Sequence, residues 1–252
     1  MNKNRKDITT FVLFGLAAVL LVLGTAGSSQ AALTYFSENY TAQIQVYDIG
    51  VTLTENGNDI SWRNYTGSGD AWNENTGELL ANMIDAEAGE KIVPGKAYPE
   101  ALSVKNSGTI DQYVRVMVYR YWVDKEGNKT TELSPELIDL NLTGNGWVKD
   151  NQASTDERTV LYYTGILAPG ETAPAFSDTI TIDSSVAKKF KETRETTGSG
   201  TIVTTTYAYD GYMFVLEAET DAVQTHNAAA AIKSAWGVDV AVGSGGGLSL
   251  LN

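Results

Sequence analysis

The sequence predicts an all-β protein, an antiparallel β-sandwich with two or three short inserted helices. Three observations point there. Short runs of alternating or wholly apolar residues, rich in Val, Ile, Thr and Tyr, recur along the chain. Turn chemistry built on Gly, Pro and Asn separates them at close spacing. Cysteine is absent, which excludes a disulfide framework, thiolate chemistry and Cys-type zinc sites and leaves the fold to rest on an ordinary apolar core.

The first element is an export signal. Lys3, Arg5 and Lys6 precede thirteen uncharged apolar or small residues, 11–23, and a small-residue junction follows at 24–32. A basic start, a short apolar run and an A-x-A-like site are the three parts of a secretory signal peptide. The predicted cut falls between Ala31 and Ala32. A retained anchor would need about 20 apolar residues, more than this run supplies. Residues 1–31 are therefore read as signal peptide, and residues 48–252 as one sandwich domain ending in a flexible tail. The formal net charge is −13. Removing the signal leaves about −15, which suits solubility outside the cell and argues against nucleic acid as a partner. Four Asn-x-Thr sequons, at Asn39, Asn64, Asn128 and Asn141, matter only in a eukaryotic secretory pathway and are read as chance.

Next comes a strand with a break in phase. Ile44 and Val46 alternate with Gln43 and Gln45, and Ile49, Val51 and Leu53 continue in the opposite phase. The slip at Tyr47-Asp48 predicts a bulge or bend. Asn56-Gly57 is a hairpin turn. Residues 60–89 are polar and glycine-rich and read as an irregular excursion, with a short helix over 77–86. A device then appears twice, Pro-Gly-x-x-x-Pro, at Pro94 to Pro99 and at Pro169 to Pro174. Proline then glycine fits the centre of a type II turn, and the two copies read as equivalent corners of one sandwich. After the turn Asn106-Ser107-Gly108, residues 112–123 read QYVRVMVYRYWV, apolar or aromatic on both faces, hence a central strand. Arg115 and Arg120 fall on its opposite faces and are placed near the rims.

Residues 124–130 form a polar hairpin loop, and Ser134-Pro135-Glu136 starts a short helix through Leu140. Trp147-Val148 and Val160 to Tyr163 read as strands. Asp183 to Thr193 reads as a capped helix with Val186 and Phe190 on one side, broken at Gly198 to Gly200. Thr201 to Tyr209 is a strand or hairpin arm, Tyr212 to Ala218 a buried strand, Ala228 to Trp236 a helix, and Gly243 to Gly247 lies in the tail.

Catalytic constellations are nearly missing. There is one histidine, His226, so a two-histidine zinc motif is impossible, and a lone His at a strand-to-helix junction reads as a local capping or hydrogen-bonding group. Asp124, Glu126 and Asn128 alternate like a calcium loop, yet Pro135 stands where the far acidic ligand belongs. Glu217 and Glu219 share a strand face and read as solvent-facing. No cofactor or metal is expected, and no enzymatic activity. Trp62, Tyr65 and Trp72 leave open a glycan- or protein-binding module. Tyr35, Phe36, Tyr40 and Tyr47 crowd the new N-terminus. Their strand either pairs within its own sandwich or leaves it to complete the sheet of a neighbour, giving a head-to-tail homopolymer.

The junction Gly24-Thr25-Ala26 with Ala32-Leu33-Thr34-Tyr35-Phe36-Ser37 resembles the signal-peptide junction of the TasA/camelysin family. Ile92-Val93-Pro94-Gly95, Val104-Lys105-Asn106-Ser107-Gly108, Tyr113-Val114-Arg115-Val116 and Leu167-Ala168-Pro169-Gly170-Glu171 match in order. The C-terminal Ala222-Val223-Gln224-Thr225-His226-Asn227 and Ala231-Ile232-Lys233-Ser234-Ala235-Trp236 are similar to clostridial members. The resemblance implies a jelly-roll-like sandwich, export through a dedicated signal peptidase of Gram-positive bacteria, and assembly into extracellular biofilm-matrix fibres, with minor fibre or anchoring subunits as further partners. It also implies that residues 32–47 are the donor strand, placing Leu33, Tyr35, Phe36, Tyr40, Ile44 and Val46 in polymerisation. Camelysin relatives have been called metallopeptidases, and a cell-surface metallopeptidase is the alternative the resemblance leaves open, although this chain departs from it in having no recognisable metal-binding motif. Neither an LPxTG-type anchor before Asn252 nor a second hydrophobic segment is present, so no membrane span is expected after cleavage.

Overall fold

The computed structural model describes residues 48–65, 72–81, 83–84, 90–188, 190–197, 200–207 and 209–251. The chain divides into two compact units, Met1–Gln45 and Val46–Asn252, and every described residue belongs to the second. The cleavage pair Ala31 and Ala32, the donor residues Leu33, Tyr35, Phe36, Tyr40, Ile44 and Val46, and the phase slip at Tyr47 lie outside the described residues.

Sixteen strands are described. They are β1 (Ile49–Glu55), β2 (Asn58–Tyr65), β3 (Trp72–Asn75), β4 (Ala97–Pro99), β5 (Leu102–Asn106), β6 (Gln112–Val123), β7 (Lys129–Thr130) and β8 (Ile138–Leu142). Then follow β9 (Trp147–Lys149), β10 (Arg158–Tyr163), β11 (Ser177–Ile182), β12 (Phe190–Thr197), β13 (Gly200–Tyr207) and β14 (Met213–Gln224). Helix α1 (Ala228–Trp236) leads into β15 (Val240–Val242) and β16 (Leu248–Leu250). All named pairings are antiparallel.

One layer runs β3-β2-β1-β5. It is set by Asn56-Gly57, whose φ values of 49° and 84° are both positive, as a two-residue turn matched to strand twist requires. The predicted hairpin therefore forms, and its pairing carries strand structure further than expected. Residues 58–65 and 72–75 are strands rather than irregular excursion, because the turn fixes the register from Glu55↔Asn58 to Ile49↔Tyr65. Within β1 the register shift falls between Leu53 and Thr54.

The two Pro-Gly-x-x-x-Pro copies pair with one another. Gly95 and Gly170 have φ of 85° and 79°, and the i to i+3 bonds from Lys96 N to Val93 O and from Glu171 N to Ala168 O close both turns. The strand leaving the first turn runs antiparallel to the strand leaving the second. Ala97↔Thr181 and Pro99↔Thr179 pair at one end, and Lys105↔Thr172 bridge at the other. Amides of Phe176 and Ala173 donate to Leu102 and Val104 between them at 2.8 Å each. The expected equivalence of the two corners is thus a local two-fold relation, and it joins β5 to the β4-β11-β8 group. Asn106, fully buried, ties this corner together: its Nδ2 donates to the carbonyls of Ile110 and Leu167, and its Oδ1 accepts from Gly108 N.

The opposing layer runs β14-β6-β10-β9, with β7 hairpinned onto β6. The central placement of residues 112–123 holds, and the apolar character of both faces has a plain cause. On one face Val114, Val116, Val118 and Trp122 meet Val51, Leu53, Leu102, Val104 and Ile180 in the core between the layers. On the other, Tyr113 joins Val160, Tyr162 and Val223 beneath α1 and the β15–β16 hairpin, where Ala228, Ile232, Val240 and Leu248 complete a second core. Two buried faces require two apolar faces.

Several expectations are corrected. Residues 79–81 form a turn, not helix: Leu80 has φ 65°, and its N–H is taken by the Glu55 carboxylate. The helix from Ser134 is one 3-10 turn, Pro135–Leu137, because Ile138 and Leu140 are drawn into β8 opposite β11. The helix over Asp183 to Thr193 is a 3-10 turn, Ser184–Lys188, followed by β12, which pairs with β13 from Phe190↔Tyr207 to Thr197↔Gly200. Residues 243–247 are a hairpin loop rather than a flexible tail, with Gly243 N to Gly247 O at 2.9 Å and buried Leu248 donating to Thr164 O. Arg115 is not at a rim. Its guanidinium is largely buried, against Asp221 at 2.5 Å and over the Trp236 ring at 5.3 Å. Arg120 donates to the carbonyls of Ile138 and Asp156.

Candidate strand-acceptor groove

β14 pairs with β6 along all twelve of its residues, from Met213↔Val123 to Gln224↔Gln112. On its other side no strand among the described residues pairs with it, so it is the edge of its layer. Its second half is sheltered: Thr220, Asp221 and Ala222 face Ile49, Val51 and Arg63 across a small cleft. Its first half opens onto a groove of about 1040 Å³.

The groove is apolar because of where its walls come from. Phe214 and Leu216 of β14 form one side, with Trp122 of β6 behind them, its ring edge-on to Phe214 at 6.2 Å. Ile182 of β11 and Val186 of the following turn form the base. Leu79, Leu80, Met83, Ile84 and Ile92 close the far side. Tyr209 and Tyr212 stand edge-to-face at the end, 5.5 Å apart. Two polar groups in the lining are engaged. Trp122 Nε1 donates to Ser134 O at 3.0 Å. The Tyr212 hydroxyl donates to Glu132, and that bond raises the Tyr212 phenol to about 12. A backbone edge without a partner among the described residues, beside an apolar trough, has the form that strand addition uses, where main-chain bonds bind and alternate side chains fill the trough.

Beside the mouth of the groove sits a buried pair of acids. Glu55, the last residue of β1, and Glu100, between β4 and β5, are hydrogen-bonded to each other and almost inaccessible, at 6% and 1% exposure. Burial first, and then the charge and hydrogen bond of Glu55, push the Glu100 carboxyl up to about 8. Oε1 of Glu55 accepts the Leu80 N–H at 2.6 Å, while Oε1 of Glu100 is buried without a partner among the described residues. Sequence reading missed this pair, since two acids 45 positions apart carry no local signal.

Of the other residues singled out in the sequence, Glu217 lines the groove and the rest of those described lie elsewhere. His226 is exposed in the turn before α1, next to Asn227 with φ 52°. Asp124 Oδ1 is spent on the amides of Glu126 and Asn128, as a closed hairpin loop requires. Glu217 is exposed and accepts from the Tyr121 hydroxyl; Glu219 is exposed as expected. Among the described residues no group of three or more His, Asp or Glu is arranged to hold a metal. Trp62 is partly exposed on β2, and Tyr65 and Trp72 are cross-strand partners on β2 and β3; neither Trp62 nor Tyr65 lines the groove. No helix among the described residues is long and apolar enough to cross a membrane. Comparison with models of protein families, with curated proteins and with solved structures finds no match.

Proposed function

We propose that this chain is a secreted structural subunit of extracellular biofilm-matrix or cell-surface fibres, in which residues 32–47 of one copy add as a strand to the next. The observation that carries the reading is the open half of β14 beside an apolar groove. Leu33, Tyr35, Phe36, Tyr40, Ile44 and Val46 supply the apolar side chains such a groove accepts, and a short extended segment supplies the backbone bonds. Because donor and acceptor are different surfaces of one chain, the contact is head-to-tail and propagates into a filament rather than closing as a two-fold dimer. Cleavage between Ala31 and Ala32 by a dedicated signal peptidase would free the donor, so export would license assembly. The subunit works by assembly, without catalysis or cofactor.

The test is deletion of residues 32–47 from the mature chain, with Leu79→Asp in the groove wall as its counterpart. Each alone is expected to remain folded and fail to polymerise. A mixture of the two is expected to stop at dimers, the intact donor of one filling the intact groove of the other. Fibres of normal length from either variant alone would contradict the reading.

A further inference from the structure

We propose that the buried pair Glu55–Glu100 is a proton-dependent latch: while Glu100 keeps its proton the pair holds residues 77–81 against the mouth of the groove, and loss of that proton releases them. The geometry is a chain of three contacts. Glu100 is bonded to Glu55, Glu55 accepts the Leu80 N–H, and Leu79 and Leu80 line the groove. Leu80 is held at φ 65°, a conformation a leucine takes only when its surroundings impose it. Behind it, Gly77 lies so close to β2 that a Cβ there would stand 2.0 Å from the Ile60 carbonyl oxygen. The turn is thus pinned at both ends, by Gly77 against Ile60 and by Leu80 against Glu55.

The groups around the pair offer no compensating charge. From the β1–β2 turn comes Asn56, whose Oδ1 accepts the Ala101 N–H. From β11 come the Ser177 hydroxyl, which donates to the Glu100 carbonyl, and Asp178, whose carboxylate is turned to Asn141 and Thr179. Residues 77–81 bring only Glu78, which is exposed. Lys105 of β5 is engaged with Asp59 of β2 at 3.1 Å. No Lys or Arg among the described residues pairs with either carboxyl. When both acids ionise, two like charges stand in contact, buried and with no Lys or Arg among the described residues beside them, which costs more than any single hydrogen bond returns. Relief comes from moving Glu55 towards solvent, and Leu80 then loses the acceptor that held it. The Glu100 carboxyl, which titrates at about 8, sets the pH at which this happens. The latch itself does not depend on strand donation; that it controls access of a donor strand rests on the proposed function.

Hydrogen–deuterium exchange of the mature chain, followed by mass spectrometry between pH 6.5 and 9.5 and corrected for the intrinsic rate, reads the latch directly. Protection of the Leu80 amide is expected to fall about tenfold per pH unit once pH passes the Glu100 titration. In Glu100→Gln it is expected to stay constant. Glu55→Gln, which keeps an oxygen for Leu80 and removes the repulsion, provides a second pH-independent variant. Constant protection in the natural chain, or an equal fall in natural chain and variants, overturns the latch. The measurement needs no polymer: a pH-dependent Leu80 amide in a chain that never forms fibres would support the latch and sink the fibre reading, and the reverse pattern would sink the latch alone.

Discussion

Single residues carry two of the sharpest consequences of this fold. Glu100 keeps its proton in the folded chain to about pH 8, whereas an unfolded glutamate loses it near the ordinary 4.5. Between those values the folded state holds one proton more than the unfolded state, so stability declines as pH rises across that window and levels off above it. One such group contributes on the order of 1 kcal/mol per pH unit. Urea midpoints of the natural chain and of Glu100→Gln, compared from pH 5 to 9, isolate it: their difference is expected to shrink towards low pH and grow towards pH 8. A difference that is flat across the range would contradict the description of Glu100 as protonated. Gly77 is the second case. The close approach of its backbone to Ile60 leaves no room for a methyl, so Gly77→Ala must separate residues 77–81 from β2. A loss of about 1–3 kcal/mol in thermal or urea unfolding is expected, the usual cost of forcing extra volume into a filled site.

At the scale of elements, the legible parts of the fold are those where residue type dictates backbone. Asn56-Gly57, Pro94-Gly95 and Pro169-Gly170 mark turns because their φ values demand those residues, and all three turns form. Residues 112–123 announce a central strand because apolar side chains on both faces have no other stable home. The misread elements share a different cause. Val186 and Phe190 lie four apart after an Asp cap, which suits a helix, yet a partner strand at 200–207 takes the backbone of residues 190–197. The glycine-rich residues 243–247 suggest a loose tail until β15 and β16 close over the second core. In each, tertiary pairing overrides a weak local preference. Among the described residues the β12–β13 ribbon pairs with itself alone and joins neither layer. Replacing residues 191–206 by a short turn is therefore expected to leave the sandwich folded, with a melting temperature within a few degrees of the natural chain. Loss of cooperative unfolding in calorimetry would show that the ribbon is part of the core.

For the whole molecule, the acceptor groove was beyond reach of the sequence for a geometric reason. Its walls come from residues near 80, 92, 122, 182, 186 and 214, which no periodicity links. The proposed donor, residues 32–47, rests on sequence alone: aromatic and apolar residues interleaved with polar ones behind the expected cut. Under the proposed function, strand addition joins the two: β14, an edge strand among the described residues, in one copy and residues 32–47 of the next. A chain built this way has no reason to stop at two copies. Electron microscopy of the purified chain beginning at Ala32, beside the same chain lacking residues 32–47, tests this most directly. The account predicts long unbranched fibres from the first and only monomers from the second. Monomers from both, or fibres from both, would contradict it.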